Sequence, residues 1–458
     1  MAVNFGMTGT FELVCSFRQK LWRDHLKPRL NNKSPNVKIK SCLPQAIDTS
    51  VLSFQPVGDY DHKAEVRAFD NLKLGVQGLV EAGITKVPRI FLQDTKTFPH
   101  NQSSPIIFPV IDLEGMDRDA DKRRKIVDEV KKASEVYGFF QVVNHGIPIE
   151  VMDEMFEGVR AFHEQDPAER KQLYVREETR RFAYNSNFDL HSSPAANWRD
   201  TLRCRMTPYP PNPEEFPPIC RDIVMEYTRH TIKFRDTLFE LLSEALGLDR
   251  GHLSDIGVGK GFFLLGHYYP ACPEPDLTIG TAPHTDTGFI TMVMQDKVGG
   301  LQVLYDDEWH DVEPIHGALV VNIADLLQLV TNNKFKSRTH RVLAQKMGPR
   351  ISVATLFREH YGETNGKKFG PIKELLSEDN PPIYREATVK EAAAAAEILH
   401  VSAATEGDSS KESVVFGRAA AQGLRQGGGA RYSTGSTRGG LFVGERVECG
   451  GDERRREK

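Results

Sequence analysis

The stretch that decides the fold runs from Gly280 to Asp296 and reads GTAPHTDTGFITMVMQD. Apolar and polar residues alternate on either side of a short turn-forming segment, as in two β-strands. Residues i and i+2 of a strand face the same side, so His284 and Asp286 can bind one ion together. The pair alone is weak evidence, because roughly one His-x-Asp is expected by chance in a chain of 458 residues with 15 histidines.

A second histidine, His340, follows Asp286 by 54 residues inside another strand-like run, RTHRVLAQ. Two histidines and one carboxylate on one face of an octahedral ion leave three positions open. Non-haem Fe(II) oxygenases have this arrangement, because a cosubstrate and O₂ bind at the open positions. The sequence therefore predicts an iron site formed by His284, Asp286 and His340. The competing interpretation is that all three are ordinary solvated side chains.

Arg350 and Ser352 begin ten residues after His340 and share one face of the next predicted strand. A guanidinium and a hydroxyl can hold a carboxylate together, which predicts an anion site, whereas the alternative for Arg350 is a solvated charge at a strand end. The run HYYPACPEP, which starts at His267, places Tyr269 where its hydroxyl adds another donor. Its neighbour Tyr268 is expected to pack in the core.

Further strands are predicted on both sides of these residues, over about 261 to 360, where short apolar runs recur roughly every ten residues. This spacing is typical of a sandwich or barrel. Upstream, apolar residues on one face predict an amphipathic helix that starts near residue 60 and contains Val66, Phe69, Leu72, Leu74, Val76 and Leu79. The other predicted elements are a strand at 107–113, a helix at 118–136, a strand at 138–146, and helices at 149–173 and 218–247.

The composition indicates a protein that acts on small molecules. The formal net charge is −4, with 39% hydrophobic and 27% charged residues, which gives no electrostatic reason to bind nucleic acid. No apolar run approaches the roughly 18 residues that cross a membrane. The six cysteines include no Cys-x-x-Cys pair, which favours a reducing, cytoplasmic location. A monomer with a small-molecule substrate is expected.

The two ends of the chain differ from the rest. Residues 1–58 are basic and lack a clear helical or strand period, so a disordered or mispredicted leader is expected, with organelle targeting as the alternative. Residues 392–458 contain an alanine run and Gly-, Ser- and Arg-rich sequence. Too little apolar surface is available there to offset the entropy of ordering, so an atypical, disordered tail is expected.

Six stretches between about residues 60 and 391 form an ordered series of motifs. They are YGFFQVVNHGIP, NSNFDLHSSPAANWRDTL, HYYPACPEPDLTIGTAPHTDTGFITMVMQD, GGLQVLYDDEWHDVEPIHGALVVNIADLLQLVTNNKFKSRTHRVLA, GPRISVATLF and PPIYREATVKE. Together they resemble the plant 2-oxoglutarate- and Fe(II)-dependent dioxygenases, and among these the 1-aminocyclopropane-1-carboxylate oxidase homologs. The resemblance implies a mixed α+β fold with a distorted double-stranded β-helix (jelly roll) core and surrounding helices. It also implies an N-terminal helical and strand region at 59–255 and a catalytic jelly-roll domain at 256–391.

The same resemblance implies a function and roles for particular residues. The function is that of a 2-oxoglutarate- and Fe(II)-dependent oxygenase that hydroxylates a plant specialised metabolite and releases succinate and CO₂, with O₂ as cosubstrate and ascorbate as reductant. Iron is assigned to His284, Asp286 and His340, and the distal carboxylate of 2-oxoglutarate to Arg350, Ser352 and Tyr269. His267 stands where many relatives have asparagine, and it is expected to contact the cosubstrate through its imidazole. The substrate pocket is expected to include Tyr184, Asn185, Phe188 and Trp198.

Two other functions stay open from the sequence. A true 1-aminocyclopropane-1-carboxylate oxidase shares the iron triad and an Arg-x-Ser, but it uses ascorbate in place of 2-oxoglutarate. The second is a protein that binds iron or ligand without turnover. The family continues beyond the position of Glu391 into a helix that closes the barrel, and this chain has an unrelated sequence there.

Overall fold

A computed structural model describes residues 60–93, 106–177, 179–207, 209–359, 367–389 and 391–392. The predicted leader at 1–58 and the predicted tail after residue 392 lie outside the described residues, so both stay predictions. Within the described part of the chain, helices dominate before residue 260 and strands dominate after it, as the sequence predicts.

The described strands form two large sheets and one short pair. They are β1 (Val110–Asp112), β2 (Phe139–Val143), β3 (Phe182–Ser186), β4 (Asp200–Arg205), β5 (Gly261–Tyr269), β6 (Ile279–His284), β7 (Ile290–Gln295), β8 (Leu301–Tyr305), β9 (Glu308–Asp311), β10 (Leu319–Ile323), β11 (His340–Leu343), β12 (Arg350–Arg358), β13 (Lys368–Phe369) and β14 (Ala387–Thr388). The major sheet has the order β1-β2-β10-β7-β12-β5-β4-β3, and the minor sheet has the order β6-β11-β8-β9. Neighbouring strands are antiparallel except for β1 and β2.

The major and minor sheets pack face to face. Phe139 and Tyr269 of the major sheet share one buried apolar cluster with Val303 and Val342 of the minor sheet. Sheet neighbours such as β12 and β5 are far apart in sequence, which is the crossing order of a jelly roll. The predicted fold class is therefore confirmed.

Helices surround the sheets and cover the outer face of the major one. They are α1 (His62–Leu72), α2 (Gly75–Glu81), α3 (Ala120–Val136), α4 (Ile149–Glu164), α5 (Pro167–Gln172), α6 (Arg221–Ala245), α7 (His252–Asp255) and α8 (Asp325–Val330). Helix α6 buries Tyr227 and Leu238 in the same core as Leu264 of β5 and Val353 of β12. Alternate residues of these strands face the other way, toward the minor sheet, and that interior contains the candidate site.

The amphipathic segment after residue 60 forms two helices, so the prediction of one helix is wrong there. Lys73 (φ 58°) and Gly75 (φ 68°) adopt left-handed backbone conformations, which end α1 and begin α2. The buried carboxylate of Asp200 accepts hydrogen bonds of 2.8 Å from the backbone N–H groups of Val76 and Gln77 and so caps α2. A Cβ at position 75 would lie 2.4 Å from Asp200, so glycine is required.

The segment predicted as a helix at 149–173 is also interrupted. Helix α4 ends at Glu164, and α5 begins at Pro167 with the side chain of Asp166 as its N-cap. The helix predicted at 118–136 is confirmed as α3, and the one predicted at 218–247 is confirmed as α6. None of the helices in the described ranges combines the length and the apolar composition needed to cross a bilayer.

Candidate metal centre

Three potential metal ligands converge in the interior between the two sheets. His284 is the last residue of β6, Asp286 follows in the turn, and His340 begins β11. Because His284 and His340 are direct partners across the two antiparallel strands, their rings lie side by side with centroids 4.2 Å apart. One ligand atom from each of the three residues lies within 4.8 Å of the others. The structure thus brings the predicted triad together, with the donor set that Fe(II) oxygenases use.

Backbone carbonyl groups orient both imidazoles. Nδ1 of His284 donates to the carbonyl oxygen of Ala282 (2.9 Å), and Nδ1 of His340 donates to that of Arg338 (3.2 Å). A proton on Nδ1 leaves the Nε2 lone pair available for a metal. Burial, and then the neighbouring His340, lower the pKa of His284 to about 3, so this ring is neutral at physiological pH. A neutral ring is the form that binds metal.

The carboxylate of Asp286 lies between the two imidazoles. Its Oδ1 is 3.7 Å from Nε2 of His284, and its Oδ2 is 3.9 Å from Nε2 of His340. Burial opposes ionisation, but the electrostatic interactions with His340 and His284 and the hydrogen bonds that the carboxylate accepts outweigh it and lower the pKa of Asp286. The side-chain amide of Asn322 on β10 donates a hydrogen bond to Oδ2. Asp286 is therefore an ionised ligand that the major sheet holds in place.

Replacing Asn322 with alanine is expected to weaken Fe(II) binding by about 10- to 100-fold, the usual cost of losing a residue that orients a ligand. The buried carboxylate of Asp286 would lose its amide donor and could rotate. Competition with a chelator measures the Fe(II) affinity, and Gln302→Ala is the matched control, because this β8 side chain hydrogen-bonds to Asp311 and Arg341 instead of to a residue of the triad. An unchanged iron affinity in Asn322→Ala would show that Asp286 does not depend on this hydrogen bond.

Arg350, which the sequence predicts to hold an anion, is buried on the inner face of the major sheet. Arg350 is 1% exposed, and it donates to the hydroxyl of Ser352 (3.0 Å) and to the side-chain oxygen of Gln295 (3.2 Å). Its Nε donates to the carbonyl oxygen of Gly299. Among the described residues, no carboxylate lies within ion-pair distance of Arg350. A buried charge normally needs a counterion, so this geometry suits a bound carboxylate.

The two tyrosines that follow His267 face opposite sides of β5. The ring of Tyr269 lies 4.9 Å from the guanidinium carbon of Arg350, and its hydroxyl is 3.1 Å from that of Thr281. The hydroxyl of Tyr268 instead donates to Glu164 in the helix-covered core, which confirms the predicted packing role. His267 lies opposite Ser352 on the inner face, and its Nδ1 is 2.9 Å from the hydroxyl of Thr201.

The aromatic residues predicted for the substrate pocket lie elsewhere. Tyr184 and Trp198 are fully buried in two separate apolar cores, and they donate to the carbonyl oxygens of Leu74 and Pro270. Phe188 is 85% exposed at the surface. The structure does not bring these three side chains to the metal cluster, because their apolar area is used in packing or faces solvent.

Other residues form the inner wall near the metal ligands. Asn185, the fourth predicted pocket residue, lies opposite Thr201 and therefore shares the inner face of the major sheet. Leu265 of β5 and Leu356 of β12 lie on the same face as His267 and Ser352, and both are only partly buried. The inner face thus combines polar side chains with two partly exposed leucines, a mixture common in small-molecule sites.

Three residues of the interior lie in distinctive sequence patterns, but the sequence alone assigns them no role. Asn322 is a lone amide within the apolar run ALVVNIADLL, where a buried polar group requires a hydrogen-bond partner. Arg199 lies in the motif NWRDTL, and Thr281 precedes His284 by three residues. Their partners are distant in sequence, so only the fold reveals their contacts.

Two family models match the chain in the regions described above. The 2OG-Fe(II) oxygenase superfamily matches residues 262–359, which contain the metal ligands and Arg350. The N-terminal domain described as that of the non-haem dioxygenase in morphine synthesis matches residues 108–220.

Similar proteins share both regions. Deacetoxyvindoline 4-hydroxylase of Catharanthus roseus is 53% identical over 335 residues, which are 71% of this chain and 84% of that protein. 1-Aminocyclopropane-1-carboxylate oxidase homolog 1 of Arabidopsis thaliana is 51% identical over 342 residues, which are 74% of this chain and 93% of that protein. A crystal structure of JOX2 in complex with 2OG, Fe and JA has 30% identity and a TM-score of 0.60, and the match covers 69% of this chain and 91% of that one.

Proposed function

The chain belongs to the 2OG-Fe(II) oxygenase superfamily, and from that membership we propose that it hydroxylates a plant specialised metabolite with iron held by His284, Asp286 and His340. It is an Fe(II)- and 2-oxoglutarate-dependent dioxygenase, so it couples oxidation of its substrate to conversion of 2-oxoglutarate into succinate and CO₂. One observation supports the site assignment most directly: the three ligands and the Arg350–Ser352 pair face the same interior.

Bound iron, 2-oxoglutarate and O₂ supply the oxidising chemistry, and the protein's task is to hold and orient them. The imidazoles of His284 and His340 present Nε2, and Asp286 adds one negative charge. The hydrogen bonds from Nδ1 to backbone carbonyl oxygens prevent the rings from turning away. No side chain needs to act as an acid or base.

Arg350, Ser352 and Tyr269 orient the cosubstrate. The guanidinium and the two hydroxyls offer several donors to one carboxylate, which fixes the direction of the molecule as well as its position. Gln295 and Gly299 hold the guanidinium in place before any ligand binds. The cosubstrate therefore meets a site that is already ordered, which reduces the entropy lost on binding.

The relatives support the proposed substrate class and reaction. One is named as a hydroxylase of deacetoxyvindoline, and the JOX2 structure contains JA. Leu265 and Leu356, both partly exposed on the inner face, suit contact with an apolar part of a substrate. We further propose ascorbate as the reductant that keeps iron in the Fe(II) state, a monomeric protein, and a cytoplasmic location, on the sequence arguments given above.

A screen with plant metabolite extracts tests this function. Purified full-length protein with Fe(II), ascorbate and 2-oxoglutarate is expected to increase the mass of one metabolite by one oxygen atom, with an equal amount of succinate. His284→Ala is the blank, because it lacks one iron ligand. Ethylene release from 1-aminocyclopropane-1-carboxylate without 2-oxoglutarate would contradict the proposal and support the oxidase alternative.

A further inference from the structure

A second buried arginine, Arg199, reaches the interior beside Tyr269. It directly precedes β4, it is 6% exposed, and its Nη1 donates to the hydroxyl of Thr281 (2.7 Å). The same hydroxyl is 3.1 Å from that of Tyr269. The loop before Arg199 is fixed to β6, because the side-chain oxygen of Asn197 accepts from the N–H of Ala282 (2.8 Å). Arg199 therefore lies on the side of Tyr269 that faces β6, the strand that carries His284.

Arg199 has one donor without a partner in the described part of the protein. Its Nε is fully buried, and no hydrogen-bond acceptor among the described residues reaches it. Within the same residues, no carboxylate forms an ion pair with Arg199, and Asp200, the next residue, points the other way and caps α2. A buried guanidinium without a counterion is costly to fold, so this side chain is suited to an anion that binds beside Tyr269.

The charges of the two arginines act on the same inner residues. Although burial raises the pKa of Tyr269, the charges of Arg199 and Arg350 outweigh that effect and lower it. Burial, then Arg199 and Arg350, lower the pKa of His267 well below its usual value, so this ring is neutral. Two positive charges thus lie on either side of Tyr269 on the inner face of the major sheet.

We propose that Arg199 is a second anchor for 2-oxoglutarate, so that the dianion is held between two buried guanidiniums, Arg199 and Arg350. This inference rests on the proposed role of Arg350 as the first anchor. The charge of the ligand matches the site, because 2-oxoglutarate brings two carboxylates to two arginines that lack acidic partners.

Anaerobic calorimetric titration of the Fe(II)-loaded full-length protein with 2-oxoglutarate tests the inference. Arg199→Gln is expected to raise the Kd by about 10- to 100-fold, the range for a hydrogen bond to a charged group. Arg199→Lys, which keeps the charge but loses the planar fork, is expected to give a smaller rise. Arg205→Gln, on the same strand but outside the anchor site, should leave the Kd unchanged. The iron content and the unfolding temperature of each variant should match those of the wild type. If Arg199→Gln does not fold, Arg199→Lys is the variant that tests the inference.

Titration with 2-oxovalerate, which lacks the distal carboxylate, then identifies the end that Arg199 binds. Weaker binding of both ligands to Arg199→Gln places it on the 2-oxo acid end, and weaker binding of 2-oxoglutarate alone places it on the distal end. Either result supports the second anchor. An unchanged Kd for 2-oxoglutarate in a folded, iron-loaded Arg199→Gln would overturn it and leave the carboxylate of the primary substrate as the partner. Wild-type protein that fails to bind 2-oxoglutarate would instead overturn the proposed function.

Discussion

Replacing Asp286 with alanine is expected to remove iron from the protein and to reduce 2-oxoglutarate turnover by more than the roughly 10- to 100-fold that follows loss of an orienting residue. Asp286 is the one negatively charged side chain of the triad, and without it two imidazoles remain to hold a divalent ion. The amide of Asn322 would also lose its acceptor. Elemental analysis of the purified variant measures iron, and succinate formation measures turnover.

The control for this experiment is Asp311→Ala, which removes an exposed carboxylate at the end of β9 and should leave both quantities unchanged. Circular dichroism separates loss of metal from loss of fold. An Asp286→Ala protein that keeps one iron per chain would contradict the assignment of this ligand.

Replacing Arg350 with methionine is expected to raise the KM and the Kd for 2-oxoglutarate strongly while iron stays bound. Losing one partner of a buried, hydrogen-bonded charge pair costs about 2–5 kcal/mol, which is roughly 30- to 5,000-fold in affinity. The KM of Arg350→Lys for 2-oxoglutarate should lie between those of the wild type and Arg350→Met, because an ammonium keeps the charge without the bidentate geometry. Steady-state kinetics with varied 2-oxoglutarate provides the measurement.

Arg123→Met is the matched control, because Arg123 is also largely buried but pairs with Glu240 and Glu244 on α6, outside the candidate site. Its KM for 2-oxoglutarate should equal that of the wild type. If Arg350→Met bound 2-oxoglutarate as tightly as the wild type, the carboxylate would have to bind elsewhere.

The metal ligands could be predicted because their signal is local. His284 and Asp286 share a face through the two-residue period of extended backbone, and Arg350 and Ser352 do so in the same way. The pairing of His284 with His340 across β6 and β11 then follows from the fold and completes the triad. Helices α3 and α6 were predictable for a similar reason, since their apolar spacing is regular.

Residues whose roles depend on distant partners could not be predicted. Asn322 meets Asp286 only because β10 and β7 are neighbours in the major sheet, and Arg199 meets Thr281 only because its loop lies against β6. Apolar spacing likewise does not reveal the break at Gly75, since the carboxylate that caps α2 comes from Asp200, more than a hundred residues away. These contacts are properties of strand order, which local patterns do not encode.

The predicted substrate pocket was less accurate because aromatic side chains suit both packing and binding. Trp198 packs against Phe91 and donates its indole N–H to the carbonyl oxygen of Pro270. It therefore belongs to the apolar core that also contains residues of α1 and α2. Asn185 shares the inner face and stays a prediction. The side of the sheet on which each of these residues points follows from the sheet register, which the sequence does not provide.

Release of CO₂ from 2-oxoglutarate labelled at its C1 carboxylate tests the central claim most directly. The purified full-length chain, loaded with Fe(II), is expected to release labelled CO₂ with one succinate for each CO₂, and to do so faster when its substrate is present. His284→Ala should release none above background. Folded, iron-loaded wild-type protein that binds 2-oxoglutarate but releases no CO₂ would contradict the account and identify the chain as a binding protein without turnover.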